Sequence, residues 1–174
     1  PIIVITKTDM ISFKEKIDVK KYIKYYRKIG IKTYMNKDVL KIKKEFKGSV
    51  VALCGQTGAG KSSLLNRIDA SLSLKTGEVS LSLGRGKHTT RLVELLEVNQ
   101  GLIADTPGFS KIDLVGMSSI DIRDNMKEMF DNLQYCKYHD CMHICEDGCH
   151  VIELVQKKEI LVSRYNNYKN FIKR

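Results

Sequence analysis

The chain has 174 residues, 43% hydrophobic and 29% charged, with 30 Lys/Arg against 20 Asp/Glu and a formal net charge of +10. That length allows one sizeable core plus an appendage, and no apolar run approaches the ~20 residues of a membrane-spanning helix, so no membrane partner is expected. No secretory signal is visible; the expected compartment is the cytoplasm, where clustered cysteines point to metal rather than disulfides.

The first apolar run, Ile2–Ile5, has strand length and leads directly into Thr6-Lys7-Thr8-Asp9. Spacing of apolar and charged residues predicts a helix over 12–29, stopped by Gly30. A short strand is expected at 31–34 and a helix over 37–46, stopped by Gly48. An apolar strand over 49–54 then enters a glycine-rich loop, with helix-compatible sequence over 62–66. A long loop is expected over 70–90, strands over 92–98 and 102–104, and a second irregular stretch to 117. Ser118 or Ser119 should cap one helix whose apolar positions are Ile122, Met126, Met129, Phe130 and Leu133. A cysteine-rich loop follows, then helical sequence through Ile152, Val155, Ile160, Tyr165 and Phe171. Alternating strands and helices imply an α/β fold with a mainly parallel sheet and helices on both faces.

The glycine-rich loop reads Gly55-Gln56-Thr57-Gly58-Ala59-Gly60-Lys61-Ser62, followed by Ser63. Its glycines let consecutive backbone N–H groups turn inward around a phosphate. The helix N-terminus adds free donors and a favourable dipole. Lys61 would reach the β- and γ-phosphates, and the Ser62 hydroxyl would ligate Mg²⁺. An ordinary glycine-rich turn would not need the strand before it and the helix after it. Cys54, in the strand ahead of the loop, is expected to be a small buried apolar residue.

About forty residues on, an apolar strand ends in Asp105-Thr106-Pro107-Gly108. An Asp at a strand end with a Gly three residues later is the GTPase pattern: Asp105 holds magnesium through water, and the Gly108 N–H senses the γ-phosphate. Between the two motifs lies Gly84-Arg85-Gly86-Lys87-His88-Thr89-Thr90, where Thr89 or Thr90 would complete the magnesium shell. Phe109 stands where many GTPases carry a water-orienting Gln, so hydrolysis must borrow a polar group, and His88 is the best local candidate. A guanine-reading Asn-Lys-x-Asp should follow the P-loop, and none does. The nearest match is Thr6-Lys7-Thr8-Asp9, ahead of the P-loop, which implies a rearranged chain order.

Four of the five cysteines, Cys136, Cys141, Cys145 and Cys149, fall within fourteen residues, interleaved with His139 and His143 and followed by His150. Thiolate and imidazole ligands at such spacings suit tetrahedral zinc. On spacing alone a Cys₄ site using Cys145 in place of His143 stays open.

The chain order, the G-R-G-K-H-T-T loop, Thr76-Gly77-Glu78-Val79-Ser80 and the cysteine cluster resemble one family over nearly the whole chain. It is similar to the circularly permuted, ribosome small-subunit-dependent GTPases (RsgA, also called YjeQ or YloQ). The resemblance implies a circularly permuted P-loop GTPase domain, expected over 1–117, and a C-terminal helical zinc-binding domain, expected over 118–174. It also implies one zinc held by Cys136, Cys141, His143 and Cys149, and GTP hydrolysis to GDP stimulated by the small (30S) subunit, in a monomer. The family's N-terminal OB-fold would precede Pro1 and is absent from this chain. Two positions depart from the family: Thr6 replaces the usual Asn of the guanine motif, and no Ser-Ala-rich base-supporting loop is evident near Thr33-Tyr34-Met35-Asn36-Lys37. Asp9 remains to pair with the guanine N1–H and 2-amino group, and Lys7 to lie along the base.

Charge is uneven. Residues 1–50 hold fourteen Lys/Arg against five Asp/Glu, including Lys14, Lys16, Lys20, Lys21, Lys24, Arg27 and Lys28. A basic surface favours a polyanion such as rRNA. Two rival functions remain: a nucleotide-gated RNA-binding assembly factor with negligible turnover, kept open by Phe109, and a P-loop ATPase, opposed only by the T-K-x-D segment.

Overall fold

A computed structural model of the chain describes residues 1–56, 58–72, 95–104 and 114–173. Its contacts divide into two compact units, Pro1–Ile112 and Asp113–Arg174.

The first unit opens with β1 (Ile2–Ile5), α1 (Phe13–Lys28) and β2 (Lys32–Met35). The helix carries the chain across so that β1 and β2 pair in parallel, from Ile2 opposite Lys32 to Ile5 opposite Met35. A capping box starts α1: the Ser12 hydroxyl accepts from the Glu15 N–H, and the Glu15 carboxylate accepts from the Ser12 N–H at 2.7 Å. Gly30, at φ +86°, turns the chain after α1, and the Arg27 guanidinium donates to the Thr33 carbonyl at 2.6 Å, fastening the helix end to β2.

Next come α2 (Val39–Phe46), β3 (Val50–Ala52), α3 (Lys61–Ile68) and a 3-10 turn, Ala70–Leu72. The hairpin β4 (Leu95–Val98) and β5 (Gly101–Ala104) ends the described part of this unit; 92–94, expected to begin β4, lie outside the described residues. Asn99 and Gln100 both have positive φ (49° and 62°), which gives the turn the hand that two-residue hairpins require. Gly101 sits where α2 ends: a Cβ there would lie 1.9 Å from the Phe46 carbonyl oxygen, so no side chain fits. Ile42 and Phe46 of α2, Leu64, Leu65 and Ile68 of α3, and Val98 and Ile103 form the core. Burying such a side chain stabilises the fold by ~1.5–3 kcal/mol each.

The α/β class and the mainly parallel pairing match the expectation. The described strands form two pieces, β1-β2 and β3-β5-β4, with no ladder joining them among the described residues. Two of the three ladders are parallel, and β4 runs antiparallel to β5. Cys54 is a correction: it is exposed. Side chains alternate across a strand, and Val51 and Leu53 take the core side, which sends Val50, Ala52 and Cys54 the other way.

The second unit contains α4 (Ser119–Asn125), α5 (Lys127–Leu133), α6 (His150–Gln156) and α7 (Val162–Ile172). Ser118 caps α4 through a box with Asp121, as the sequence led one to expect. The single helix expected across 118–133 is instead two, because Met126 is extended (φ −99°, ψ 100°). The break rephases the apolar residues: Met126 and Met129 both enter the core, and Phe130 turns out, 53% exposed. The core is built from Ile122, Met126, Met129, Val151, Tyr165 and Tyr168 and also contains Cys141 and Cys149. Buried Glu128 accepts from Arg164 at 2.9 and 3.3 Å, tying α5 to α7. No helix among the described residues is long and apolar enough to cross a membrane.

Candidate nucleotide cleft and metal centre

The loop before α3 owes its shape to Gly58 and Gly60, at φ +75° and +89°. A side chain at Gly60 would be strained by that backbone; the space beside it is bounded by Thr6, whose Cβ would be in ordinary contact at 3.6 Å. The Lys61 ammonium reaches back over the loop and donates to the carbonyls of Gly55 and Gln56. Ser62, in the first turn of α3, is buried, while Ser63 is exposed.

The turn after β1 meets this loop. The Thr6 hydroxyl donates to the Ala59 carbonyl at 2.7 Å, linking positions 53 apart in the chain. Lys7 sits in the left-handed region at φ +55°, and its carbonyl accepts from the Met10 N–H. A cleft of about 810 Å³ is lined by Thr6, Lys7 and Asp9 on one side and by Gly58, Ala59, Gly60, Lys61, Ser62 and Ser63 on the other. Thr57, His88, Thr89, Thr90, Asp105, Gly108 and Phe109 lie outside the described residues.

Five further lining residues were not assigned to the site from sequence: Lys16, Asn36, Lys37, Leu64 and Arg67. Asn36 accepts from the Thr8 hydroxyl at 3.1 Å through its side chain and donates its N–H to the Ile5 carbonyl at 2.8 Å. The available signal was the parallel pairing itself. Parallel neighbours end side by side, so residues just beyond β2 share the crevice with residues just beyond β1.

In the second unit, the ligand atoms of Cys136, Cys141, His143 and Cys149 all lie within 4.8 Å of one another. His143 Nδ1 is 3.6 Å from Cys136 Sγ and 3.4 Å from Cys149 Sγ. Its Nε2 is buried with no hydrogen-bond partner among the described residues. Cys145 is exposed and stands outside the group. Burial pushes the Cys141 thiol up to about 12 and the Cys149 thiol above its ordinary value, and it lowers the His143 pKa. Two buried thiols, the half-buried Cys136 thiol and an imidazole with its pKa lowered fit a divalent cation, which would draw the thiols to thiolates.

The backbone around these residues is held from outside. The Glu146 carboxylate accepts from the N–H groups of Met142, Ile144 and Cys145 at 2.6, 2.7 and 3.0 Å. Burial raises the Glu146 pKa, but these donors outweigh it and leave the carboxyl below its ordinary value. Tyr165 and Tyr168 donate to the carbonyls of His143 and Met142, each at 2.7 Å. Gly148, at φ +66°, passes Lys137 so closely that a Cβ would stand 3.0 Å from the Lys137 Cβ.

A P-loop opening a helix, bonded to a T-K-x-D turn that precedes it in sequence, defines a circularly permuted P-loop nucleotide-binding protein. The RsgA GTPase family model matches residues 1–115, and the chain belongs to that family. It is 42% identical to the small ribosomal subunit biogenesis GTPase RsgA of Pediococcus pentosaceus, covering 98% of this chain and 57% of that protein. The protein of the same name from Bacillus cereus (strain ATCC 14579) is 44% identical, covering 99% of this chain and 60% of that protein. Among solved structures, the circularly permuted GTPase YloQ superposes with a TM-score of 0.76 at 30% identity, covering 99% of this chain and 56% of that chain. YjeQ from Thermotoga maritima gives 0.76 at 28% identity, with 98% and 58% covered. The chain thus spans less than two thirds of the length of these relatives.

Proposed function

We propose that this chain is the nucleotide-hydrolysing and metal-binding part of a GTPase that acts in maturation of the small ribosomal subunit. The observation that carries the reading is the shared cleft, in which the Thr6 to Asp9 turn and the P-loop are joined by the Thr6–Ala59 hydrogen bond. GTP lies with its base against Asp9 and Lys7 and its phosphates in the P-loop. Water attacks the γ-phosphate, giving GDP and phosphate. Loop amides and the Lys61 ammonium neutralise charge that grows on the phosphoryl oxygens. Lys61 exchanges its loop carbonyls for phosphate oxygens at that point. Mg²⁺ at the Ser62 hydroxyl would add further charge neutralisation. Asp105, Thr89, Thr90 and the Gly108 N–H keep the roles their motifs assign, and His88 orients the water that Phe109 cannot.

The metal is zinc, and it is structural. Zn–S bonds of ~2.3 Å and Zn–N bonds of ~2.0–2.1 Å at tetrahedral angles put neighbouring S and N ligands roughly 3.5–3.6 Å apart. The separations of 3.6 and 3.4 Å around His143 support that ion. Four protein ligands leave no open position for catalysis. The two compact units are read as the GTPase and zinc-binding domains. The small subunit is read as the partner, which the printed names of the relatives support; rRNA as the contact, a monomeric state and a cytoplasmic location complete the proposal.

Turnover of GTP and ATP, with and without purified small subunits, tests the reading. GTP should be preferred and its hydrolysis stimulated by subunits; Lys61→Ala should abolish turnover, and His88→Ala should reduce the stimulated rate. Equal use of ATP would favour the ATPase reading, and no turnover under any condition the non-hydrolysing one.

A further inference from the structure

The first half of α1 is an unpartnered helix surface. Its buried residues, Ile23 and Tyr25, both lie in the second half. Phe13 is 80% exposed and Ile17 55% exposed, on successive turns of one side. Around them run Lys14, Lys16, Lys20, Lys21, Lys24 and Lys28, whose side chains make no hydrogen bond or ion pair among the described residues. At 3.6 residues per turn, the six lysines, Phe13 and Ile17 fall within an arc of roughly 160°. Glu15 and Asp18 fall outside it, and Glu15 is committed to the Ser12 cap. Beside the helix is a groove of about 210 Å³, whose lining includes Phe13, Ile17 and Met35 together with Lys16, Lys20 and Lys37.

We propose that this face of α1 and its groove form a docking surface for an unpaired RNA strand. Lysines would track the phosphates, and one base would rest against Phe13 in the groove. The proposal rests on the reading of the chain as a small-subunit factor, which supplies RNA as the polyanion. Two features favour a nucleic-acid strand over other anionic partners. Unpaired cations lie along a helix ~24 Å long, matching a linear array of phosphates rather than one acidic cluster. The apolar part is an aromatic ring and its neighbours at a groove mouth, which suits stacking of a base. A membrane surface needs a continuous apolar helix face, and here lysines dominate the arc.

The test titrates a fluorescent single-stranded RNA of mixed sequence, its duplex form, polyglutamate and anionic phosphatidylserine vesicles over a salt series. Lys14→Gln/Lys21→Gln/Lys24→Gln should weaken single-strand binding at least about tenfold at low salt and make the log–log salt slope shallower by roughly two. Phe13→Ala should weaken it about fivefold or more without changing the slope, because stacking releases no counterion. Lys157→Gln/Lys158→Gln/Lys173→Gln, with the same charge change on the other unit, should bind like the parent. GDP binding, retained in every variant, shows that the fold is intact. Equal losses in both triple variants would overturn the surface, as would preference for polyglutamate or vesicles over RNA. Co-sedimentation with small subunits separates the two readings. If the parent sediments with subunits and the α1 triple does so equally, the surface is wrong and the proposed function stands. If the parent does not sediment in any nucleotide state, the proposed function falls, while the RNA titration still decides whether α1 binds a strand.

Discussion

Thr6→Val removes one hydroxyl and keeps the shape of the side chain. The lost contact is the 2.7 Å bond to the Ala59 carbonyl, partly buried, between the base-side turn and the phosphate loop. A hydrogen bond of this kind contributes a net ~0.5–1.5 kcal/mol. If the bond holds the two walls of the cleft in register, most of that loss should appear in nucleotide binding. The expected outcome is GDP bound about two- to tenfold more weakly. Whatever part of the loss falls on the nucleotide-free protein should lower its melting temperature, by at most ~1–6 °C for a chain of this size. Titration with a fluorescent GDP analogue, alongside thermal denaturation, reads both effects. Thr6→Asn, which restores a longer donor, should bind GDP at least as well as the parent. Unchanged GDP affinity in Thr6→Val, with or without a lower melting temperature, would refute the idea that this bond sets the cleft.

Asp9→Asn should weaken GDP binding and narrow the GDP-over-ADP preference; competition titration checks it, and an unaltered preference would remove Asp9 from base reading. Cys149→Ser should lose bound metal, because a buried member of the four-residue group is replaced, whereas Cys145→Ser should keep it; metal content of purified protein is the measurement. Gly101→Ala should destabilise the first unit by ~1–3 kcal/mol or more, since its Cβ would collide with the Phe46 carbonyl; urea unfolding followed by circular dichroism reads it, and a neutral result would mean that the α2 end and hairpin yield freely.

The sequence made the local features legible. The P-loop and the T-K-x-D turn are contiguous, and their chemistry depends on residues a few positions apart. Cysteine crowding marked the candidate metal site, but spacing could not choose between His143 and Cys145. Burial separates them, since His143 faces inward and Cys145 is exposed. Asn36 and Lys37 showed no base-supporting pattern in sequence, because their place in the cleft follows from strand pairing, a property of two distant segments. The break at Met126 was hidden because a 3.6-residue period fits one continuous helix as well as two that meet at an extended residue. Cys54 was misjudged because an apolar run does not reveal which of its alternating sides meets the core.

The order of the cleft's parts bears on synthesis. Every described residue lining it lies between Thr6 and Arg67, so these side chains leave the ribosome before the first candidate metal ligand, Cys136. Yet β3, which delivers the P-loop, pairs among the described residues with β5, and its partners Leu102, Ile103 and Ala104 come much later. A nascent chain shorter than that holds the described lining side chains without the strand that braces their loop. The turn carrying Thr6 is therefore made first and acquires a braced counterpart only when the hairpin arrives.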